Sequence, residues 1–211
     1  MSVRVGILGG TFNPPHVGHL LCASEAADQL GLHQVVLVPV ARPPHKEVPD
    51  DPGAQERLAL CELAVAGDRR LSVSRLEIDR GGASFTVDTL AELHARTPED
   101  ELTFIVGADM ALSLPTWHEP RRVLGLATLA VAERSGAARR DIVERLEELG
   151  VDDGGAGGQP NVRFFDMPRV DISSSLLRRR VAQGRSIRYL VPDAVADRIT
   201  QRRLYRDGAM A

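Results

Sequence analysis

Cysteine is almost missing from this 211-residue chain, which has two, Cys22 and Cys61. Two thiols cannot staple a fold, so a disulfide-built secreted domain is excluded and reduced cysteines in a cytoplasmic protein are expected. Lysine is scarcer still: of 26 basic residues only Lys46 is not Arg. No apolar run nears the ~18–20 residues that cross a bilayer, so no membrane partner is expected. The opening MSVRVGILGG holds one Arg and no long apolar stretch before a small-residue cleavage site, so no signal peptide is expected either. With 43% hydrophobic and 26% charged residues, the composition excludes disorder and collagen-like repeats. A chain of this length is one large domain, or one with an appendage.

The net charge of −3 is unevenly spread. Residues 161–211 hold 11 Arg against 5 Asp, a balance of +6, which leaves −9 over residues 1–160. A basic end on a mildly acidic protein suits a phosphorylated small ligand better than long DNA, and no nucleic-acid partner is expected.

Strand and helix patterns alternate from the start. Short apolar runs at Val3 to Leu8, Val35 to Val40, Leu102 to Val106, Leu126 to Ala132 and Val162 to Phe165 read as buried strands. Between them lie helical spacings: Val17, Leu20, Leu21 and Ala27; Leu58, Cys61 and Val65; Val87, Leu90, Ala91 and His94; Ile142, Val143, Leu146 and Leu149. That alternation implies βαβ units, and the expected class is α/β, a Rossmann-like parallel sheet flanked by helices. The proline-rich 41–53 reads as a loop, and 150–160 as an exposed Gly-rich excursion. After Phe165 the chain turns helical, around Leu176, Leu177 and Val181 and again from Pro192, placed at a first helical position. This is a small C-terminal helical appendage.

The first strand runs into Gly9-Gly10-Thr11-Phe12-Asn13-Pro14-Pro15-His16-Val17-Gly18-His19. Paired glycines let a ligand approach the backbone, and a helix beginning near His16 offers free N–H groups and the positive end of its dipole to an anion. His16 and His19 are three apart, so their rings project to one side and can donate hydrogen bonds to phosphate oxygens. Gly18 removes a side chain that would fill the space between them. Glycines at 6, 9 and 10 do not make G-x-G-x-x-G, no Gly-Lys-Ser/Thr follows to make a P-loop, and two histidines make a poor zinc site. Gly107 and Asp109 fall just past a strand's carboxyl end, where open α/β sheets bind ligands; Asp109 reads alternatively as a helix N-cap before Met110.

GGTFNPPHVGH resembles the signature of the H-x-G-H nucleotidyltransferase superfamily. Pro43-Pro44-His45-Lys46, Ser84-Phe85-Thr86-Val87-Asp88-Thr89-Leu90, Gly107-Ala108-Asp109, Trp117, Ile172-Ser173-Ser174-Ser175-Leu176-Leu177-Arg178 and Tyr189-Leu190-Val191-Pro192 follow in the order of the bacterial nicotinate-nucleotide adenylyltransferases. The resemblance spans residues 3 to about 205. It implies one nucleotidyltransferase domain over 1–211, with a nucleotide-binding core over 1–166 and a helical part over 167–211 completing the phosphate site. It implies adenylyl transfer from ATP to nicotinate mononucleotide, with Mg²⁺ brought mainly on ATP.

The same resemblance implies the residues. Gly9, Gly10, Thr11, His16 and His19 would meet the ATP phosphates, Ser174 and Arg178 would clamp the outgoing pyrophosphate, and Lys46 would reach a phosphate or close over the site. Gly107 and Asp109 would contact adenosine, and Thr86, Thr89 and Trp117 the nicotinate nucleotide. Plainer readings stand beside these: Ser173 an N-cap, Lys46 an exposed loop residue, Arg178 a surface charge, Trp117 a core residue, His94 packing or surface. The rivals in function are an amide acceptor, another phosphate acceptor such as phosphopantetheine, both pyridine forms, and a nucleotide-binding module without catalysis. A homo-oligomer is compatible with each.

Overall fold

Each of the five apolar runs becomes a strand. In the computed structural model, which describes residues 2–42, 50–133, 139–149 and 162–206, they are β1 (Arg4–Gly10), β2 (Gln34–Pro39), β4 (Glu101–Gly107), β5 (Thr128–Glu133) and β6 (Val162–Asp166). A sixth, β3 (Leu71–Val73), was not expected. It is three residues long, has no run to betray it, and forms the edge of a sheet ordered β3-β2-β1-β4-β5-β6. The pairs β1–β4, β4–β5 and β5–β6 are parallel, with Ile7 opposite Phe104, Phe104 opposite Leu129 and Val131 opposite Phe164. Parallel strands are covered on both faces, which is why these segments read as continuous apolar runs.

The expected helices form as α1 (Val17–Leu30), α2 (Ala54–Val65), α4 (Thr86–Arg96), α7 (Arg139–Glu147), α8 (Ser174–Ala182) and α9 (Asp193–Gln201). Three short ones escaped the pattern: α3 (Leu76–Arg80), α5 (Ala108–Ser113) and α6 (Pro120–Leu126), with a 3₁₀ turn at Leu114–Thr116. Five to seven residues are under two helical turns, too few for a 3.6 period to show. Boundaries shift: Val3 and Val40 fall just outside β1 and β2, and Leu126 ends α6 before β5 begins. Pro192 is the N-cap of α9 rather than its first residue, and Leu149 lies past the end of α7. Residue Lys46 and the Gly-rich 150–160 stretch lie outside the described residues.

The chain resolves into two interleaved compact units. One contains Met1–Gly9, Ala23–Val35 and Phe85–Arg169; the other contains Gly10–Cys22, Val36–Ser84 and Val170–Ala211. In the first, Gly6 is tightly enclosed: a Cβ there would come within 2.8 Å of Leu32 and 2.9 Å of Ile105, whose side-chain ends would have to shift. In the second, Leu60 and Ala64 of α2 share a core with Leu177, Ile187, Val191, Val195, Ile199 and Tyr205, so α8 and α9 are anchored on α2. Cys22 and Cys61 are not joined in a disulfide. No described helix is long and apolar enough to cross a membrane.

Candidate active site

The histidine motif, α2, α8 and α9 all fall in the second unit. The turn after β1 ends at His16, and α1 starts at Val17, so His16 is the N-cap and His19 the third helical residue. That spacing brings the two rings into a stack with centroids 3.7 Å apart. His19 also completes the helix start: its Nδ1 accepts from the His16 backbone N–H at 3.2 Å, as a Glu does in a capping box. Nδ1 is therefore the acceptor and Nε2 carries the proton. A Cβ on Gly18 would sit 3.1 Å from His16 Nδ1, so any side chain there would crowd that ring and shift it by a few tenths of an ångström.

Charge follows from burial. His16 is 6% exposed, and desolvation lowers its pKa from 6.5 to about 4. Desolvation and then the nearby His16 lower that of His19 to about 3. Both rings are neutral at physiological pH and act as hydrogen-bonding groups, with no cation between them. His16 Nδ1 is buried and has no partner among the described residues. A buried polar atom without a protein partner next to a helix N-terminus suits a polar or anionic ligand.

Around the pair, α8 holds the turn. The Ser174 hydroxyl donates to the Pro14 carbonyl at 2.8 Å, and Arg178 Nη1 donates to the Asn13 carbonyl at 2.8 Å. Ser173 is the N-cap of α8, its hydroxyl accepting from the Leu176 N–H, so the plainer reading holds for that serine. Arg178 is mostly buried, not a surface charge; its Nε lies 3.7 Å from Asp50 Oδ2 and has no acceptor among the described residues. Arg57 is a residue that sequence reasoning missed. Its guanidinium is wholly buried and donates to the Thr11, Val40 and Ala41 carbonyls and to Asp51. One signal was present: Arg57 lies on the same stripe of α2 as Cys61 and Ala64, where an apolar residue belongs.

In the first unit, Gly107 ends β4 and is the N-cap of α5, which begins at Ala108. Asp109 is therefore inside the first turn and not the cap. Both are exposed at the strand's carboxyl end. Thr86 begins α4, whose cap residue Phe85 supplies no side-chain acceptor. Thr89 is buried and its hydroxyl donates back to the Phe85 carbonyl at 3.4 Å. Trp117 is half-buried, with Nε1 donating to Ser113 Oγ at 3.1 Å and its ring edge-to-face with Phe104 at 6.0 Å. The Phe85 and His118 rings lie 4.7 Å apart, which brings the Thr86 end of α4 beside the Trp117 turn. His94 is exposed.

No three His, Cys, Asp or Glu side chains gather to hold a metal ion among the described residues. Such a site can hold anions and orient them.

The cytidylyltransferase-like family model matches residues 7–180. A "Probable nicotinate-nucleotide adenylyltransferase" of Thermus thermophilus is 47% identical, over 97% of this chain and 100% of that one. One of Trichlorobacter lovleyi is 42% identical over the same shares. Among solved structures, Plasmodium falciparum nicotinic acid mononucleotide adenylyltransferase complexed with NaAD superposes with a TM-score of 0.76 at 17% identity, covering 96% of this chain and 97% of that one. At that identity the likeness is one of fold.

Proposed function

The chain belongs to the cytidylyltransferase-like family and, within it, to the nicotinate-nucleotide adenylyltransferases, and from that premise we propose that it joins ATP and nicotinate mononucleotide into nicotinate adenine dinucleotide with release of pyrophosphate. The observation that carries the reading is the stacked, neutral His16–His19 pair at the start of α1, with His19 Nε2–H free of its capping duty.

The chemistry needs no base. The acceptor's phosphate oxygen is already ionised; it attacks the α-phosphorus of ATP, a new O–P bond forms, and the bond to the β-phosphate oxygen breaks. The electron pair leaves on pyrophosphate. What the protein must supply is alignment of two anions and donors for the charge that builds on the oxygens. His16 and His19, the Gly9, Gly10 and Thr11 backbone and the α1 N-terminus serve the phosphates undergoing transfer. Arg178 and, through its backbone N–H at the start of α8, Ser174 serve the departing pyrophosphate, and Lys46 reaches a phosphate or closes over the site. Arg178 keeps N–H donors for the pyrophosphate because its hydrogen bonds to the Asn13 carbonyl and the Ser175 hydroxyl use two of five. Mg²⁺ enters as part of the MgATP substrate, held mainly by phosphate oxygens.

In the other unit, Gly107 and Asp109 serve adenosine, and Thr86, Thr89 and Trp117 the nicotinate nucleotide. Acid is preferred over amide because α4 presents uncapped N–H groups and its positive dipole end. Trp117 offers its half-exposed indole for stacking. The enzyme works in the cytoplasm, where its two cysteines, not joined in a disulfide, stay reduced.

Direct transfer fixes the stereochemistry. With ATP carrying a chiral α-phosphorothioate, dinucleotide should form with inversion at phosphorus, one pyrophosphate per dinucleotide. Retention would mean two displacements through a covalent enzyme intermediate and would contradict direct attack; pyrophosphate without dinucleotide would contradict the acceptor.

A further inference from the structure

Arg57 is 0% exposed, carries a full charge, and no part of the family resemblance includes it. Burying a guanidinium is costly, and a well-packed apolar residue is often as stabilising in its place. Its geometry is more specific than packing requires. Nε donates to Asp51 Oδ1 at 2.9 Å, Nη1 to the Thr11 carbonyl at 3.0 Å and the Val40 carbonyl at 2.8 Å, and Nη2 to the Ala41 carbonyl at 3.2 Å. One planar group thus joins the turn after β1, the exit of β2 and the residues leading into α2.

The Thr11 bond bears on the histidines. A trans peptide points its C=O and the following N–H in opposite directions, so a Thr11 carbonyl held on Arg57 turns the Phe12 N–H to the far side of the turn. Phe12 has φ 49°, a left-handed conformation that side-chain-bearing residues rarely adopt and that its surroundings must enforce. The Phe12 ring is buried and meets the His19 ring edge-on, centroids 5.0 Å apart. A Cβ on Gly10 would come 3.1 Å from the same ring, so the turn is closed around it.

We propose that Arg57 is a positioning residue for adenylyl transfer, acting through the Thr11–Phe12 peptide on the His16–His19 pair. The inference rests on the activity proposed above. Lysine at this position keeps the charge but cannot span four acceptors from one ammonium, and methionine keeps the bulk without any donor.

The test compares wild type with R57K and R57M at a temperature where circular dichroism shows each folded. Both variants should lose at least about tenfold in kcat while KM for the pyridine nucleotide stays within about threefold, because the reacting phosphates and not the pyridine are misaligned. Both should also bind the non-transferable α,β-methylene analogue of ATP about fivefold more weakly or worse, read by calorimetry. A loss of thermal stability with kcat and analogue affinity within about twofold of wild type overturns the proposal. If R57M fails to fold, R57K and D51N decide by the same thresholds, since D51N removes only the carboxylate that orients the guanidinium. A wild-type protein that makes no dinucleotide overturns the proposed activity, and the analogue affinities then judge Arg57 alone.

Discussion

Replacing His19 with Ala should lower kcat by roughly 10²–10³ with the fold intact, the scale for removing one preorganised donor from developing charge. The structure gives that donor an orientation. His19 Nδ1 is committed to the His16 backbone N–H, so the proton sits on Nε2 and points away from the helix start. The ring is held between Phe12 at 5.0 Å and His16 at 3.7 Å. Truncation removes the donor, one wall of the His16 stack and one cap, the last costing about 1 kcal/mol of stability. H19N separates the effects, because its amide can still accept from the His16 N–H and so keep the cap, while its shorter side chain does not reach where Nε2–H does. Steady-state kinetics beside thermal melts would measure both. Near-normal turnover of a folded H19A enzyme would remove His19 from the chemistry.

Acid should unfold this protein through the same pair. A histidine whose folded pKa is lowered is protonated first in the unfolded chain, so stability is full above the unfolded value near 6.5 and falls as pH drops toward the folded values of about 4 and about 3. In that window the unfolded state binds more protons, so stability rises with pH, the sign expected of buried neutral imidazoles. From His16 alone the loss between pH 7 and pH 5 is about 2 kcal/mol, and His19 adds in the same direction. Urea unfolding midpoints at the two pH values would measure it, and the H16N/H19N double variant should flatten that part of the dependence. The same charge state makes a kinetic demand: kcat should show no ionisation step from these histidines between pH 6 and 8. A fall in kcat through pH 6.5 as pH rises, with stability flat between pH 5 and 7, would mean that working imidazolium groups had been misread as neutral.

The sheet was legible where burial on both faces wrote it as apolar runs, and the long helices where a 3.6 spacing ran for two turns or more. β3 and the helices α3, α5 and α6 were hidden because three to seven residues carry no period; tertiary packing fixes them. The histidine pair was legible to its facing, since spacing of three at a helix start puts two rings together. Its charge state was not, because desolvation depends on what packs around His16. Gly18 was read correctly as the absence of a side chain, and the structure shows which ring that absence serves.

The α8 residues show what local sequence cannot carry. Ser174 and Arg178 could be matched to a motif, but nothing near them says that their donors would reach the Pro14 and Asn13 carbonyls, 160 and 165 residues away. Arg57 was overlooked for a related reason. A charge on a helix reads as solvated, and only the three carbonyls that converge on it, from Thr11, Val40 and Ala41, make it a buried one.

The most direct measurement follows dinucleotide and pyrophosphate when the purified protein meets MgATP with nicotinate mononucleotide or its amide. The acid should turn over much faster, because the start of α4 offers uncapped N–H groups to a carboxylate. Equal turnover of both would keep the transfer chemistry and contradict the selectivity. No dinucleotide from either, with ATP still bound, would contradict the account itself and leave another acceptor or a non-catalytic module.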